Sequence, residues 1–230
     1  MTTLHRFFVP PAEAHGDRFP LPPSIRRQVE RVLRLRDGDH LVLLTGDGRE
    51  AHCRLEDGTC AVTERRAVVA EPAHRLTVVQ AILKGDALDE VIQQGTELGV
   101  AEFRLVVSDR CIARDLSPRK LDRLRTIARE SAEQSERGIV PEVSEPQPFA
   151  AALTSGAVLL AERTDGTRLG DLPPPATVIV GPEGGFGPGE LEAATRAGVA
   201  LVGLGPRILR SRTVAAAVAA VILSRTGDFA

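Results

Sequence analysis

Val180-Gly181-Pro182-Glu183-Gly184-Gly185-Phe186-Gly187-Pro188-Gly189-Glu190 is one of two glycine-bearing turns whose reading decides the fold; the other is Leu204-Gly205-Pro206-Arg207-Ile208-Leu209-Arg210. Each follows a short apolar run, Thr177 to Val180 and Ala200 to Leu204. Each precedes a helical pattern, Pro188 to Ala197 and Ser211 to about Ser224. Strand, turn and helix repeated in this way predict an α/β fold with a mostly parallel sheet. Open sheets of that kind bind ligands outside the carboxyl ends of their strands, which is where both turns fall.

The alternation extends upstream. Leu76 to Leu83 reads as a strand, and Asp86 as the cap of a helix with Leu88, Val91, Ile92, Gly95 and Leu98 on one face and Gly99 at its end. Phe103 to Val107 is the next strand. Ser117-Pro118 opens a long helix with Leu121, Leu124, Ile127, Ala128 and Ala132 as its stripe and Gly138 as its stop. Ala157 to Ala161 is a further strand. The first part of the chain reads differently. Arg6 to Val9, His40 to Leu44, Glu50 to Leu55 and Thr59 to Val69 are short strands joined by Asp-Gly turns, which suggests a small barrel. Pro10 to Pro23 reads as a loop, and Ser24 as the cap of a helix reaching about Leu33. Glu71-Pro72-Ala73 marks a boundary between domains at residues 1–71 and 72–230.

The chain has 230 residues and a formal net charge of −2, so no global basic field advertises nucleic acid. Of its basic side chains only Lys84 and Lys120 are lysine. Arginine suits bidentate contacts to phosphate, although a coding bias gives the same composition. Cys53, Cys60 and Cys111 are odd in number and lack metal-ligand spacing; no metal site and no disulfide framework is expected. The N-terminus lacks the apolar core of a signal peptide, and no run approaches the roughly 18 apolar residues of a membrane span. These features predict a soluble, cytoplasmic protein with no membrane partner. His40, His52 and His74 lie in strand-like or boundary segments and read as structural.

The glycine turns invite a phosphate-binding reading, which the residues oppose. A P-loop ends in Gly-Lys-Ser or Gly-Lys-Thr, whereas Phe186 follows Gly184-Gly185 and the segment has no lysine. The dinucleotide fingerprint breaks at Glu183, which would set a carboxylate beside an anion. Exposed amides with an acidic side chain suit a neutral or cationic ligand. Taken alone, such turns are also read as plain connections.

Several further segments give the turns a context. They are Arg6-Phe7-Phe8-Val9, Val32-Leu33-Arg34 with Gly38-Asp39, Lys84-Gly85-Asp86, Gln93-Gln94-Gly95-Thr96-Glu97-Leu98-Gly99-Val100, and Glu133-Gln134-Ser135 with Arg137 and Val140-Pro141. In this order and spacing, and with the two late turns, the chain resembles the SPOUT RNA methyltransferases. More narrowly it resembles the RsmE-type enzymes, which methylate N3 of a uridine in 16S ribosomal RNA. The resemblance implies an N-terminal PUA-like β-barrel that binds RNA and a C-terminal α/β domain closed by a trefoil knot. It implies S-adenosylmethionine (SAM) as cofactor, a homodimer, and 16S rRNA or the 30S subunit as partner.

By the same resemblance, the cofactor is lined by Leu160, Ala161 and Glu162, by Gly181, Pro182, Glu183 and Gly184, and by Leu204, Gly205, Ile208, Leu209 and Arg210. A side chain added at Gly184 is expected to fill the space beside the ligand. Arg210 and Glu183 are the catalytic candidates. Arg210 can face a developing uracil oxyanion or brace the loop, and Glu183 can take a proton or hold loop amides. Arg6, Arg34, Arg110, Arg114, Arg137 and Arg212 are the candidates for RNA contact. Two positions depart from the family pattern: Arg212 stands where an acidic residue is common, and Gln28 near a usual histidine. A SPOUT enzyme for another rRNA or tRNA base, and a non-catalytic RNA-binding or ribosome-assembly protein, remain as alternatives.

Overall fold

The computed structural model describes residues 4–161 and 167–229. It divides into two compact units, Met1–Glu71 with Ala132–Val140, and Pro72–Ser131 with Pro141–Ala230.

The first unit is built on β1 (His5–Phe8), β2 (Arg18–Pro20), α1 (Pro23–Arg27), β3 (His40–Leu44), β4 (Arg49–Glu56) and β5 (Thr59–Ala67). The strands form one five-stranded sheet in the order β1-β3-β4-β5-β2, antiparallel except for the β1–β3 pair. Alternation sets one core on each face. Phe7, Leu41, Leu43, Cys53 and Cys60 join Val29 and Ile25 in one cluster, while Phe8, Val42 and Leu44 meet Ala132 in another. Strand β2 lies inside the segment expected to be a loop. Three residues flanked by prolines carry no alternation, yet Phe19 pairs with Cys60 and is buried. Ser24 does not cap α1. Proline occupies its first position, and the Ser24 hydroxyl donates to Glu13 at 2.6 Å. The helix then passes into a π-turn over Gln28–Val32.

The second unit holds β6 (Thr77–Ala81), α2 (Ala87–Glu97), β7 (Glu102–Val107), α3 (Pro118–Gln134, its last residues counted with the first unit), β8 (Glu142–Val143), β9 (Gln147–Pro148), β10 (Val158–Leu160), β11 (Thr177–Val180), α4 (Pro188–Arg196), β12 (Ala200–Val202) and α5 (Ser211–Arg225). Its seven-stranded sheet runs β12-β10-β11-β6-β7-β8, with β9 beside β7, and every described pair is parallel. All five residues of β6 are buried, as a central strand covered on both faces requires. Helix α2 approaches β7 so closely that a Cβ on Gly95 would lie 2.7 Å from the Phe103 ring. Gly99, with φ 97°, ends α2 in the left-handed conformation expected of it. Asp86 precedes α2 without capping it, because its carboxylate instead accepts from Lys120 Nζ at 2.9 Å. Helix α3 stops at Gln134, short of Gly138, and Glu136 takes the positive φ of 62° after it. Among the described residues no helix is long and apolar enough to cross a membrane.

Candidate functional site

The parallel strands β10, β11 and β12 end side by side, and the turns that leave them line an open cleft. Leu160 and Ala161 come from the end of β10, Val180, Gly181, Pro182 and Gly185 from the turn after β11, and Leu204, Gly205, Arg207, Ile208 and Leu209 from the turn after β12. Ser211 and Val214, on the first turn of α5, complete the wall. Gly181 lies close under the Phe186 ring: a Cβ there would meet it at 3.0 Å, and the ring would have to shift.

The loop after β11 is held from several directions. Glu190, buried on α4, accepts from its own Gly187 amide at 2.8 Å and from the Asp109 amide at 2.9 Å. Arg110 donates to the Gly184 carbonyl at 3.0 Å. Glu183 Oε1 accepts from the Lys84 amide at 3.1 Å. The loop is therefore tied to the turns after β6 and β7 through backbone groups, which limits its freedom before any ligand arrives.

A second cleft, of about 340 Å³, adjoins the first. Ile208, Leu209 and Ser211 line both. Leu83, Ala87, Glu183, Arg210 and Arg212 complete it. Ile208, at the junction of the two clefts, is 64 % exposed. The Arg210 guanidinium makes no hydrogen bond or ion pair among the described residues, while its carbonyl accepts from the Thr213 and Val214 amides; Arg212 pairs with Glu90 of α2 at 2.9 Å.

The structure thus brings eight of the expected cofactor residues to the first cleft: Leu160, Ala161, Gly181, Pro182, Leu204, Gly205, Ile208 and Leu209. Glu183 and Arg210 line the second instead, and Glu162 lies outside the described residues. Gly184 lines neither cleft. A Cβ there would meet Arg110 Cβ at 3.3 Å, so the space beside it belongs to that arginine rather than to a ligand. Arg207, within the expected segment Leu204 to Arg210, lines the first cleft too. Val180, Gly185, Ser211, Val214, Leu83 and Ala87 were not among the expected residues. Val180 and Gly185 lie in the first quoted turn, Ser211 and Val214 share a helical face, and Leu83 with Ala87 flanks Lys84-Gly85-Asp86.

Two of the RNA candidates are corrected. Arg6 has a side chain only 8 % exposed, bound between Glu50 and Glu136. Arg137 is 2 % exposed and paired with Glu71 at 3.0 Å. Both guanidiniums serve the interior of the first unit and present no free surface to a polyanion. Arg34 is exposed, with φ 54°. Arg110 and Arg114 are exposed too, but donate to backbone carbonyls of Gly184 and Asp109. His52 bonds Glu50, and His74 meets the Pro175 carbonyl.

Residues 70–223 match the model of the RNA methyltransferase domain, and residues 31–60 that of the RNA methyltransferase PUA domain. The chain is 32 % identical to ribosomal RNA small subunit methyltransferase E of Synechocystis, over 91 % of this chain and 74 % of the relative. It is 36 % identical to the protein of the same name from Mycobacterium bovis, over 80 % of this chain and 78 % of the relative. The crystal structure of ribosomal RNA small subunit methyltransferase E from Neisseria gonorrhoeae, bound to S-adenosyl methionine, superposes with a TM-score of 0.87 at 30 % identity. That likeness covers 97 % of this chain and 98 % of the other.

Proposed function

The chain belongs to the RNA methyltransferase family, and from that membership we propose that it methylates N3 of a uridine in 16S ribosomal RNA with S-adenosylmethionine as donor. The observation that carries this reading is the pair of clefts sharing Ile208, Leu209 and Ser211. Transfer between two bound molecules needs two sites with a common wall, so that donor and acceptor meet without diffusion.

The residues of the first cleft suit the cofactor. Leu160, Val180, Leu204, Leu209 and Val214 offer apolar surface to an adenine, and Gly181 and Gly205 let main chain approach a ribose closely. Bound there, SAM supplies a methyl group activated by its sulfonium. The second cleft takes the acceptor base. Leu83, Ala87 and Ile208 pack against its faces, as a base removed from its stack requires. Arg210 sets a guanidinium toward charge that develops on a uracil oxygen. Glu183 is held by Lys84 through Oε1, which leaves Oε2 to receive the N3 proton.

Residues 1–71 serve as the PUA-like RNA-binding domain and 72–230 as the catalytic domain. The 30S subunit is the partner, and the cytoplasm the compartment. The C-terminal segment is knotted. Gly203 pairs in parallel with Arg168, its amide donating to the Thr167 carbonyl and its carbonyl accepting from the Leu169 amide, and Arg225 of α5 donates to the Leu169 and Leu172 carbonyls, contacts that a chain threaded past this segment would make. Helix α5 also supports a homodimer. Its buried face carries Ala215, Val218, Ile222 and Leu223, and the opposite face, Ala217, Ala220 and Val221, is apolar as well. Mapping of modified nucleosides in 16S rRNA from cells lacking the gene tests the substrate. Loss of one N3-methyluridine is expected; its undiminished presence would overturn the assignment.

A further inference from the structure

Among the described residues, the first cleft carries one charged side chain, Arg207. It stands on the exposed turn after β12, and it has no hydrogen-bond or ion-pair partner among the described residues. Two other arginines near the clefts are engaged, Arg212 with Glu90 and Arg110 with the Gly184 carbonyl. Arg210, three residues on, lines the second cleft and not the first. Arg207 is thus a cation facing an otherwise uncharged, largely apolar site.

The proposed donor has one anionic group, the α-carboxylate of its methionyl half. Its sulfonium and α-ammonium are positive. A carboxylate brought into an apolar cleft needs a counter-charge, and a planar guanidinium can meet both its oxygens at once. We propose that Arg207 binds the methionyl carboxylate of the cofactor and so selects ligands that carry the amino-acid half. This rests on the reading of the first cleft as the SAM site. It assigns Arg207 to cofactor recognition, apart from Arg210 and its part in the reaction.

Calorimetry on the full chain with two ligands tests the proposal. One is SAM; the other is decarboxylated SAM, which keeps nucleoside, sulfonium and ammonium but lacks the carboxylate. Arg207→Gln should weaken SAM by about tenfold, the loss of one charge-assisted pair at an exposed site. It should leave decarboxylated SAM within about twofold, which also shows that the variant is folded. Arg207→Lys should recover part of the loss as a point charge. Equal weakening of both ligands, or no change in either, would overturn the proposal while leaving the cleft a SAM site. Failure of the unaltered protein to bind either ligand would instead overturn the SAM site itself, and this proposal with it.

Discussion

Glu50 is a buried carboxylate on β4 that accepts hydrogen bonds from Arg6, His52 and Arg66. Burial alone would raise its pKa, but the hydrogen bonds from His52, Arg6 and Arg66 outweigh it and lower the value from 4.5 to about 2. A depressed carboxylate contributes stability above its unfolded pKa and loses it as pH falls toward the folded one. Here that is worth about 3 kcal/mol near neutral pH, lost as the carboxylate protonates on acidification. Denaturant melts should show Glu50→Gln less stable by about that amount near neutral pH. The gap should narrow as pH falls from 4.5 toward about 2. A gap independent of pH would show that the charge is not what matters. On the cleft, Gly181→Val should weaken SAM binding at least about tenfold, because the Phe186 ring leaves no room for the added carbons. Gly189→Ala, which meets open space away from both clefts, should leave affinity unchanged in the same titration. The turns that form the cleft were readable in the sequence because glycine spacing after apolar runs is a local signal. The burial of Arg6 and Arg137 was not. Their carboxylate partners, Glu50 and Glu71, lie far away in the chain, and an unpaired arginine looks the same in sequence as a paired one.

Elements that carry a period or a continuous apolar run were legible, and those with neither were not. Strands β3 and β11 occupy the expected spans, α2 buries Leu88, Val91, Ile92 and Gly95 of the face its apolar spacing implies, and α5 starts at the expected Ser211. Strands β2, β8 and β9 have two or three residues and show no alternation, so only their pairing with β5 and β7 reveals them. The π-turn in Gln28–Val32 likewise has no sequence signature. Helix α5 gives a prediction at this scale. Val221 is 41 % exposed on the face left uncovered by the rest of the chain. Val221→Arg should convert a dimer to a monomer in sedimentation velocity while changing chain stability by less than about 1 kcal/mol, as surface substitutions do. A wild-type chain that sediments as a monomer would contradict the dimer.

At the scale of the molecule, the order β12-β10-β11-β6-β7-β8 is what sets three strand ends beside one another and builds two clefts with a shared wall. No local pattern encodes that order; it follows from long-range pairing such as Val158 with Ala200 and Val178 with Val78. The central claim is that the shared wall brings a methyl donor to the N3 of a uridine. Its most direct test is to incubate the purified chain with methyl-labelled SAM and 30S subunits that lack the modification, then digest the RNA and identify the labelled nucleoside by mass spectrometry. The account predicts label in N3-methyluridine, at one position of the 16S rRNA. Label in another nucleoside, or none above the level of a heat-inactivated control, would contradict it.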